Sequence, residues 1–333
     1  MTQPLVSIIV TCHNRADMVC TALDSVWKQT YRPLELVIVD DGSTDHSMAV
    51  IEEWCAAHPD GGGFTRIART FPNGKLCVAR NRGLELSHGE FIQYVDDDDW
   101  LYPFAVAEKI KAFQQDPTRD VMVNQVDYHS PRRGVWGQSH LTVAAEDGRQ
   151  LAHILDVHTE TYFSPTLMFR RGPLLECGAW TPGLLFADDV DVVIRLALCG
   201  AKFGLVDKAL SAYNMHGELR QCNDMIYRLA DDFWAKLFLD LFAFSRRFRR
   251  DSPEIRLALA KQADFYALRQ LSIGKFRAAE LCWKSAEEIG NLRNRRMKLP
   301  AWMRRIEFHL EYGLYTGKQR LKRAVKSLLG RGR

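Results

Sequence analysis

The sequence has few of the features that identify several large protein classes. Its 333 residues include eight cysteines, but these are scattered, with no C-x-x-C pair and no histidine at zinc-site spacing. This pattern argues against a disulfide scaffold and a structural zinc site, so we expect reduced thiols. The apolar run over residues 237–244 is interrupted by Asp240 and is too short to span a bilayer. No G-x-G-x-x-G fingerprint follows the first predicted strand, which argues against a dinucleotide-dependent dehydrogenase.

The N-terminal residues lack a basic leader and a cleavage site, so no secretory signal is predicted. With reduced cysteines and no predicted membrane span, we expect a cytoplasmic protein.

The net charge of +4 conceals an asymmetry along the chain. Residues 291–333 hold 13 Lys/Arg against two acids, whereas residues 1–290 carry a net charge of −7. Basic side chains of this tail surround one apolar helical face, formed by Leu321, Ala324, Val325 and Leu328. Such a helix suits an anionic membrane surface, which would make the protein peripheral on the inner face of the plasma membrane. The alternative is a solvated helix packed on the N-terminal domain.

No nucleic-acid partner is expected, because no nucleic-acid-binding module accompanies the tail.

Strands and helices alternate through the first 60 residues. Short β-branched runs predict buried strands over residues 5–10 and 34–39, and apolar spacing predicts helices over residues 15–29 and 45–57. This order implies right-handed crossovers and an α/β fold with a parallel sheet. Ligands of such sheets bind at the carboxyl ends of the strands. Three polar residues are predicted at that rim: Thr11, Asp40 and Asp96.

The rest of the chain changes from mixed to helical patterns. Helices are predicted over residues 103–115 and 189–199, and strands over residues 121–128 and 162–170. Residues 129–160 are irregular and rich in Gly, His and Arg, and are interpreted as loops. Beyond residue 216 the pattern is helical only, with breaks at 252–253, 290–291 and 300, and with a helix–turn–helix pair at 265–289.

Four consecutive carboxylates occupy residues 96–99, directly after the apolar run over residues 91–95. Adjacent negative charges raise one another's pKa, so the arrangement favours a bound cation. Hard oxygen ligands suit Mg²⁺ or Mn²⁺, and these ions usually bridge to phosphate. The alternative is a solvated acidic turn, which Val95 and Trp100 on either side make less favourable.

Four short motifs occur in a specific order, at residues 6–15, 37–45, 79–83 and 94–100. Together they closely resemble the family-two inverting glycosyltransferases of the bacterial cell-surface polysaccharide type. The resemblance implies the GT-A fold, a Rossmann-like, mostly parallel central sheet flanked by helices, here with a helical C-terminal extension. The domains expected from it are a nucleotide-sugar-binding catalytic domain over residues 1–217, a helical region over 218–290 and the basic tail over 291–333.

The resemblance assigns the nucleotide to residues at the ends of the first strands. Asp40 matches the Asp that hydrogen-bonds the uracil ring. Capping of the next helix is its alternative role, which Ser43 and Asp45 are better placed to fill. Arg80 matches a basic contact to the nucleotide, and Asp96 a contact to the ribose or to the metal's water shell. The remaining predicted nucleotide-binding residues are Thr11, His13, Arg15 and Asp97.

The metal and the base follow from the same resemblance. Asp98 matches the metal ligand of the D-x-D element; a register shifted by one residue is the alternative, because residue 97 is also an aspartate. His216 matches a closing histidine that completes the metal shell or contacts the diphosphate. The implied cofactor is Mn²⁺ or Mg²⁺. Asp189, preceded by Asp188, matches the catalytic base, with Asp189 expected inward and Asp191 outward. The alternative is that these acids only stabilise the first turn of a helix.

The predicted function is therefore transfer of a sugar from a UDP-sugar to a hydroxyl of a glycan or lipid-linked acceptor, in lipopolysaccharide, capsule or exopolysaccharide synthesis. One rival is a nucleotidyltransferase, which would be expected to carry a Gly-rich basic signature where residues 11–14 stand. Another is a non-catalytic assembly protein whose helical region binds partners.

Overall fold

The computed structural model describes residues 3–130, 134–143, 154, 162–215 and 229–290. The chain separates into two compact units, residues 1–225 and 226–333. The described strands of the first unit are β1 (Val6–Cys12), β2 (Leu34–Asp40), β3 (Phe64–Thr70), β4 (Phe91–Asp96), β5 (Trp100–Leu101), β6 (Val121–Ser130), β7 (Gly134–Gln138), β8 (Leu167–Arg170) and β9 (Phe203–Asn214). Its described helices are α1 (Val19–Trp27), α2 (Ser47–Ala57), α3 (Leu76–Leu86), α4 (Ala105–Gln115), α5 (Arg171–Glu176) and α6 (Asp188–Cys199).

The described strands form one sheet in the order β3-β2-β1-β4-β8-β6-β9-β5, with β7 paired to β6. Strands β3, β2, β1 and β4 run parallel, β8 is antiparallel to both of its neighbours, and β6 and β9 are parallel. The predicted α/β class with a mostly parallel central sheet is confirmed. Along the ladders Cys12 lies opposite Asp40 and Thr11 lies opposite Asp96, so the rim predicted from the strand ends is present.

Burial on both faces explains why the first strands read as continuous apolar runs. Every residue of β1 and β2 is buried, as parallel strands covered by helices require. Helix α1 buries Val19, Ala22, Leu23 and Val26 in the core cluster on one side of the sheet.

Four of the described strands were not predicted: β3, β5, β7 and β9. Strand β5 has only two residues, and β3 and β9 lack a plain apolar pattern. Strand β3 lies at the end of the sheet order and carries Arg66 and Arg69, while β9 carries Asp207 and Lys208. Residues 129–160, which were expected to be irregular, contain strand β7, which pairs with β6.

Some predicted bounds were also wrong. Helix α1 begins at Val19 instead of residue 15. The strand expected from residue 162 begins only at Leu167, because Ser164–Thr166 forms a 3₁₀ turn and its Pro165 has no N–H for a ladder.

The described part of the second unit contains three helices: α7 (Phe233–Arg247), α8 (Pro253–Ser272) and α9 (Phe276–Gly290). The side chain of Ser252 caps α8, and Gly274 with φ +82° makes the turn between α8 and α9. The predicted helical pair is present. Trp234 stacks on Tyr266 with ring centroids 3.9 Å apart inside this unit. The predicted amphipathic tail over residues 291–333 lies outside the described residues.

In the part of the chain that the structure describes, no helix combines the length and apolar character needed to cross a bilayer. The cysteines of that part are all free.

Candidate active site

The acidic run connects β4 to β5 at the rim of the sheet. Asp96 ends β4, and the N–H of Asp99 donates to the Asp96 carbonyl at 3.1 Å, which closes a tight turn. Asp99 is 1% exposed; its Oδ1 accepts from the Asn214 N–H at 2.9 Å, and its Oδ2 has no hydrogen-bond partner. Burial, with the charges of Asp98 and Asp96, raises the pKa of Asp99 well above 3.8. The crowded, buried carboxyls therefore disfavour one another's ionised forms, and a bound cation would relieve this.

The donor set at this turn fits a hard divalent cation. Asp97 contacts the His13 N–H at 3.3 Å and Arg15 Nε at 3.7 Å, and its pKa is raised to about 7 by burial and by the charges of Asp98 and Asp96. Within the described ranges no three His, Cys, Asp or Glu side chains are grouped to hold an ion by themselves. Mg²⁺ usually needs only one or two carboxylates, with substrate phosphates and waters as the other ligands. The orphaned oxygen of Asp99 and the crowded carboxyls fit such an open site; Asp98 as its ligand stays a prediction. His216 lies outside the described residues.

The loop after β1 and the loop after β2 meet beside the acidic run. Asp40 is buried, and its two oxygens accept from the Ser43 N–H at 3.2 and 3.4 Å. His13 is exposed, and its Nδ1 lies 3.0 Å from the Asp41 carbonyl. Asn14 adopts a left-handed φ of +54° and its Oδ1 accepts from the Thr44 N–H at 2.8 Å. The structure thus places the predicted nucleotide loop and Asp40 at one edge.

Asp40 does not cap α2, whose N-cap residue is His46 without a side-chain cap hydrogen bond. Asp45 Oδ1 accepts from the Ser47 N–H at 2.9 Å at the start of α2. The neighbouring Asp41 binds the N–H groups of Gly74 and Lys75 at 2.8 and 2.9 Å and so holds the loop before α3. Among the contacts given above, the Asp40 side chain accepts hydrogen bonds from one residue, Ser43.

Arg80 lies at the centre of the site, not at its surface. Its side chain is 1% exposed, donates to Asp96 Oδ1 at 2.7 Å, and also donates to Asp188 and Ser164. The guanidinium carbon is 4.2 Å from the centre of the Trp180 ring. Burial alone would lower the pKa of Arg80, but the two carboxylates more than offset it and raise that pKa, so the side chain stays charged. These contacts join the acidic run to α6; a direct contact to the nucleotide stays a prediction.

Asp188 and Asp189 are in the first turn of α6, as predicted. Asp189 is 23% exposed and lies 3.8 Å from Arg80 Nη1 and 3.4 Å from Ser164 Oγ. Burial and the charge of Asp188 raise the pKa of Asp189 well above 3.8, against the lowering effect of Arg80. Ala187, just before the helix, has a left-handed φ of +59°, a strained conformation of the kind often found at functional sites. A carboxylate with a raised pKa holds a proton more tightly than an ordinary one and is a stronger base when ionised.

Asp191 does not point outward as expected. It is buried, accepts from Thr181 Oγ1 at 2.6 Å and pairs with Arg195 at 2.6 Å. Arg195 also donates to the carbonyls of Cys177 and Ala179. The segment after α5 covers this face of α6, and sequence spacing within the helix could not show that.

Three residues of the site were missed by the sequence analysis: Ser164, Trp180 and Asn214. Ser164 lies between Asp96 and Asp189, at 3.2 and 3.4 Å from their nearest oxygens. Ser164 and Trp180 belong to no motif that carries chemistry by itself, and Asn214 contributes only its backbone N–H to Asp99.

The family described as "Glycosyl transferase family 2" matches residues 7–178 of the chain. The chain belongs to glycosyl transferase family 2. A family-2 relative, the uncharacterized glycosyltransferase YibD of Escherichia coli (strain K12), is 35% identical over 29% of this chain and 27% of its own length. The chondroitin synthase of Pasteurella multocida (strain Pm70) is 36% identical over 34% of this chain and 11% of its own length. The glycosyltransferase GlyG of Streptococcus pneumoniae is 24% identical over 72% of this chain and 78% of its own length. The chain thus matches about a quarter or less of the length of the first two.

Solved structures show that the fold is GT-A. S. aureus TarS 1-349 in complex with UDP-GlcNAc superposes with a TM-score of 0.56 at 19% identity, covering 86% of this chain and 90% of that one. The mannosyltransferase PcManGT from Pyrobaculum calidifontis in complex with GDP-Man and Mn²⁺ gives a TM-score of 0.53 at 18% identity, covering 93% and 87%. The predicted family and the predicted fold are both confirmed.

Proposed function

We propose that this family-2 member is an inverting, metal-dependent glycosyltransferase that moves a sugar from a UDP-sugar to a hydroxyl of a glycan or lipid-linked acceptor in cell-surface polysaccharide synthesis. The observation that carries the proposal is the link between two distant acidic segments. Arg80 and Ser164 both contact Asp96 of the acidic run and both lie within 3.8 Å of Asp189 on α6. A donor-side carboxylate and an acceptor-side carboxylate are thereby held around one centre, as inverting transfer requires.

The nucleotide end of the donor is assigned to the edge formed by Thr11, His13, Arg15 and Asp40. A carboxylate has about four acceptor positions, and the hydrogen bonds from Ser43 leave Asp40 able to accept the imide N–H of a uracil. TarS was crystallised with UDP-GlcNAc and PcManGT with GDP-Man, so a donor screen should include sugars of both nucleotides.

The reaction itself needs a base and a way to offset the charge of the leaving group. Asp189 takes the proton of the acceptor hydroxyl while that oxygen attacks the anomeric carbon from the face opposite the leaving diphosphate, which inverts the configuration. The raised pKa of Asp189 makes its ionised form a stronger base for that proton than an ordinary aspartate. Asp98 would hold Mn²⁺ or Mg²⁺, whose charge stabilises the departing diphosphate. Arg80 keeps Asp188 and Asp96 in place and reduces their mutual repulsion.

The test measures nucleotide release from UDP-sugars and GDP-sugars with and without Mn²⁺, together with UDP binding by calorimetry. Asp189→Asn should lower the rate by roughly 10²- to 10⁴-fold, because the amide cannot accept the proton, while UDP binding stays close to wild type. Glu176→Gln, an exposed carboxyl at the end of α5, is the control and should keep full activity. An active Asp189→Asn variant would exclude this base. A wild-type protein inactive with every donor would favour the non-catalytic alternative.

A further inference from the structure

Ser164 is a buried hydroxyl that contacts both acidic segments of the site. It is 1% exposed in the 3₁₀ turn before β8, and its Oγ lies 3.2 Å from Asp96 Oδ2 and 3.4 Å from Asp189 Oδ1. The same oxygen accepts a hydrogen bond from Arg80 Nη2. A single side chain thus touches the proposed donor-side acid, the proposed base and the guanidinium between them.

A serine hydroxyl carries only one proton. With Arg80 donating to its oxygen, Ser164 can give that proton to Asp96 or to Asp189, but not to both at once. The contact to Asp96 is the shorter of the two, so Asp96 is the favoured acceptor in the free protein. The two carboxylates therefore compete for one hydrogen bond.

The backbone of Ser164 is held from behind, so the hydroxyl can rotate while the turn stays in place. Gln93 Nε2 donates to the Ser164 carbonyl at 3.2 Å, and Lys109 Nζ donates to the Pro165 carbonyl at 3.3 Å. Thr166 Oγ1 closes the turn on the Phe163 carbonyl at 2.7 Å. Buried contacts from β4 and α4 thus fix the backbone of the turn, while the Ser164 hydroxyl can rotate about its side-chain bond.

We propose that Ser164 is a positioning residue that couples the donor side of the site to the acceptor side: its hydroxyl donates to Asp96 in the free protein and turns to Asp189 when Asp96 engages the donor. This rests on the proposed function, in which Asp96 contacts the bound nucleotide sugar. No covalent bond changes in this step; one hydrogen bond is exchanged for another. Donor binding then prepares the base before the acceptor reacts.

The hydrogen bond to Asp189 has a measurable electrostatic consequence. Charged groups face Asp189 from three elements: Asp188 on its own helix, Arg80 on α3 and Asp96 on β4. A hydrogen bond donated to a carboxylate stabilises its ionised form and lowers its pKa. The bond from Ser164 therefore opposes the raised pKa of Asp189, and it should do so most strongly with donor bound.

The first test compares Ser164→Ala with wild type across pH. We expect kcat to fall about tenfold, the value of one hydrogen bond to a charged group, and the acidic limb of kcat to move to higher pH. The KM for the donor should change little. Ser164→Thr keeps the hydroxyl and should restore both. Ser285→Ala, a buried serine of α9 whose Oγ donates to the Cys282 carbonyl at 2.7 Å, is the control for losing a buried hydroxyl and should leave the pH profile unchanged.

The second test does not depend on turnover. The titration of Asp189 is followed by carboxyl ¹³C NMR, with Asp189→Asn for assignment, in free protein and with UDP and Mg²⁺. We expect UDP binding to lower the pKa of Asp189 further in wild type than in Ser164→Ala. Equal shifts in both proteins, or a wild-type pH profile for Ser164→Ala, would overturn the coupling while leaving the proposed function intact. Failure of UDP to bind wild type would overturn both.

Discussion

At the scale of single residues, Lys109 is a buried lysine that supports the turn containing Ser164. Its side chain is 0% exposed, and in the described part of the chain it forms no ion pair. Nζ donates instead to Gln93 Oε1 at 2.6 Å and to the Pro165 carbonyl. Burial lowers the pKa of Lys109 well below 10.5. A neutral amine has two N–H groups for these two acceptors, so the group fits its surroundings without a charge.

This burial makes stability depend on pH in a definite direction. The unfolded chain keeps the lysine protonated up to pH 10.5, while the folded chain releases that proton at lower pH. The unfolded state then binds more protons, so the free energy of unfolding rises with pH between the lowered pKa and 10.5. Burial raises the pKa of Cys12, Cys77, Cys177 and Cys282, which lowers the stability of both proteins alike at alkaline pH. Urea unfolding from about pH 7 to about pH 9.5 should therefore show a more positive slope of the free energy of unfolding against pH in wild type than in Lys109→Met. Parallel curves for the two proteins would contradict it.

At the scale of elements, the close packing of α3 on the sheet brings Arg80 to the centre of the site. Gly83, one turn after Arg80, lies against β1 and β2: a Cβ there would overlap Ile9 Cγ2 and come within 3.3 Å of Val39 Cγ2. The absence of a side chain lets the helix axis approach the strands. Arg80 can therefore reach Asp96 from a helix that covers the sheet.

Gly83→Ala should separate α3 from the sheet. We expect a loss of about 1–3 kcal/mol in the free energy of unfolding, since overpacking forces side chains and backbone to move. Transfer activity should fall as well, because Arg80 shifts with the helix. Gly172→Ala in α5 is the matched control, since nothing lies within 4 Å of the added methyl group and alanine favours helix. Chemical denaturation measures the free energy of unfolding of both variants. Equal values for Gly83→Ala and Gly172→Ala would show that α3 accommodates the added methyl group without moving.

At the scale of the whole molecule, the two units differ in charge. Residues 1–225 hold 20 Lys/Arg against 30 Asp/Glu, whereas residues 226–333 hold 25 against 11. An acidic unit that contains the site and a basic helical unit suit different partners: a metal-bound nucleotide sugar and an anionic surface. We propose that the basic tail brings the enzyme to a lipid-linked acceptor at the inner face of the membrane. The boundaries at residues 217 and 290 stay predictions.

Vesicle sedimentation tests this role of the tail. Deleting residues 291–333 should release the protein from vesicles that contain phosphatidylglycerol, because 13 basic residues are lost. Binding to vesicles of pure phosphatidylcholine should stay unchanged, since these carry no net charge. The control neutralises four exposed arginines at the end of α7 in the full chain: Arg246, Arg247, Arg249 and Arg250. That variant should keep most of its binding. Unchanged binding after the deletion would refute the proposal.

The sequence by itself determined the family, the α/β class and the rim where Thr11, Asp40 and Asp96 meet, because motifs and apolar periods are local properties of the chain. Only the tertiary structure decided which distant segments touch. Ser164, a serine without a motif, lies between Asp96 and Asp189, and Asp191 is buried although its helical position suggested exposure. The reason is physical: the order of strands and the cover on each helix depend on contacts between residues far apart in the chain, and no local pattern records those contacts.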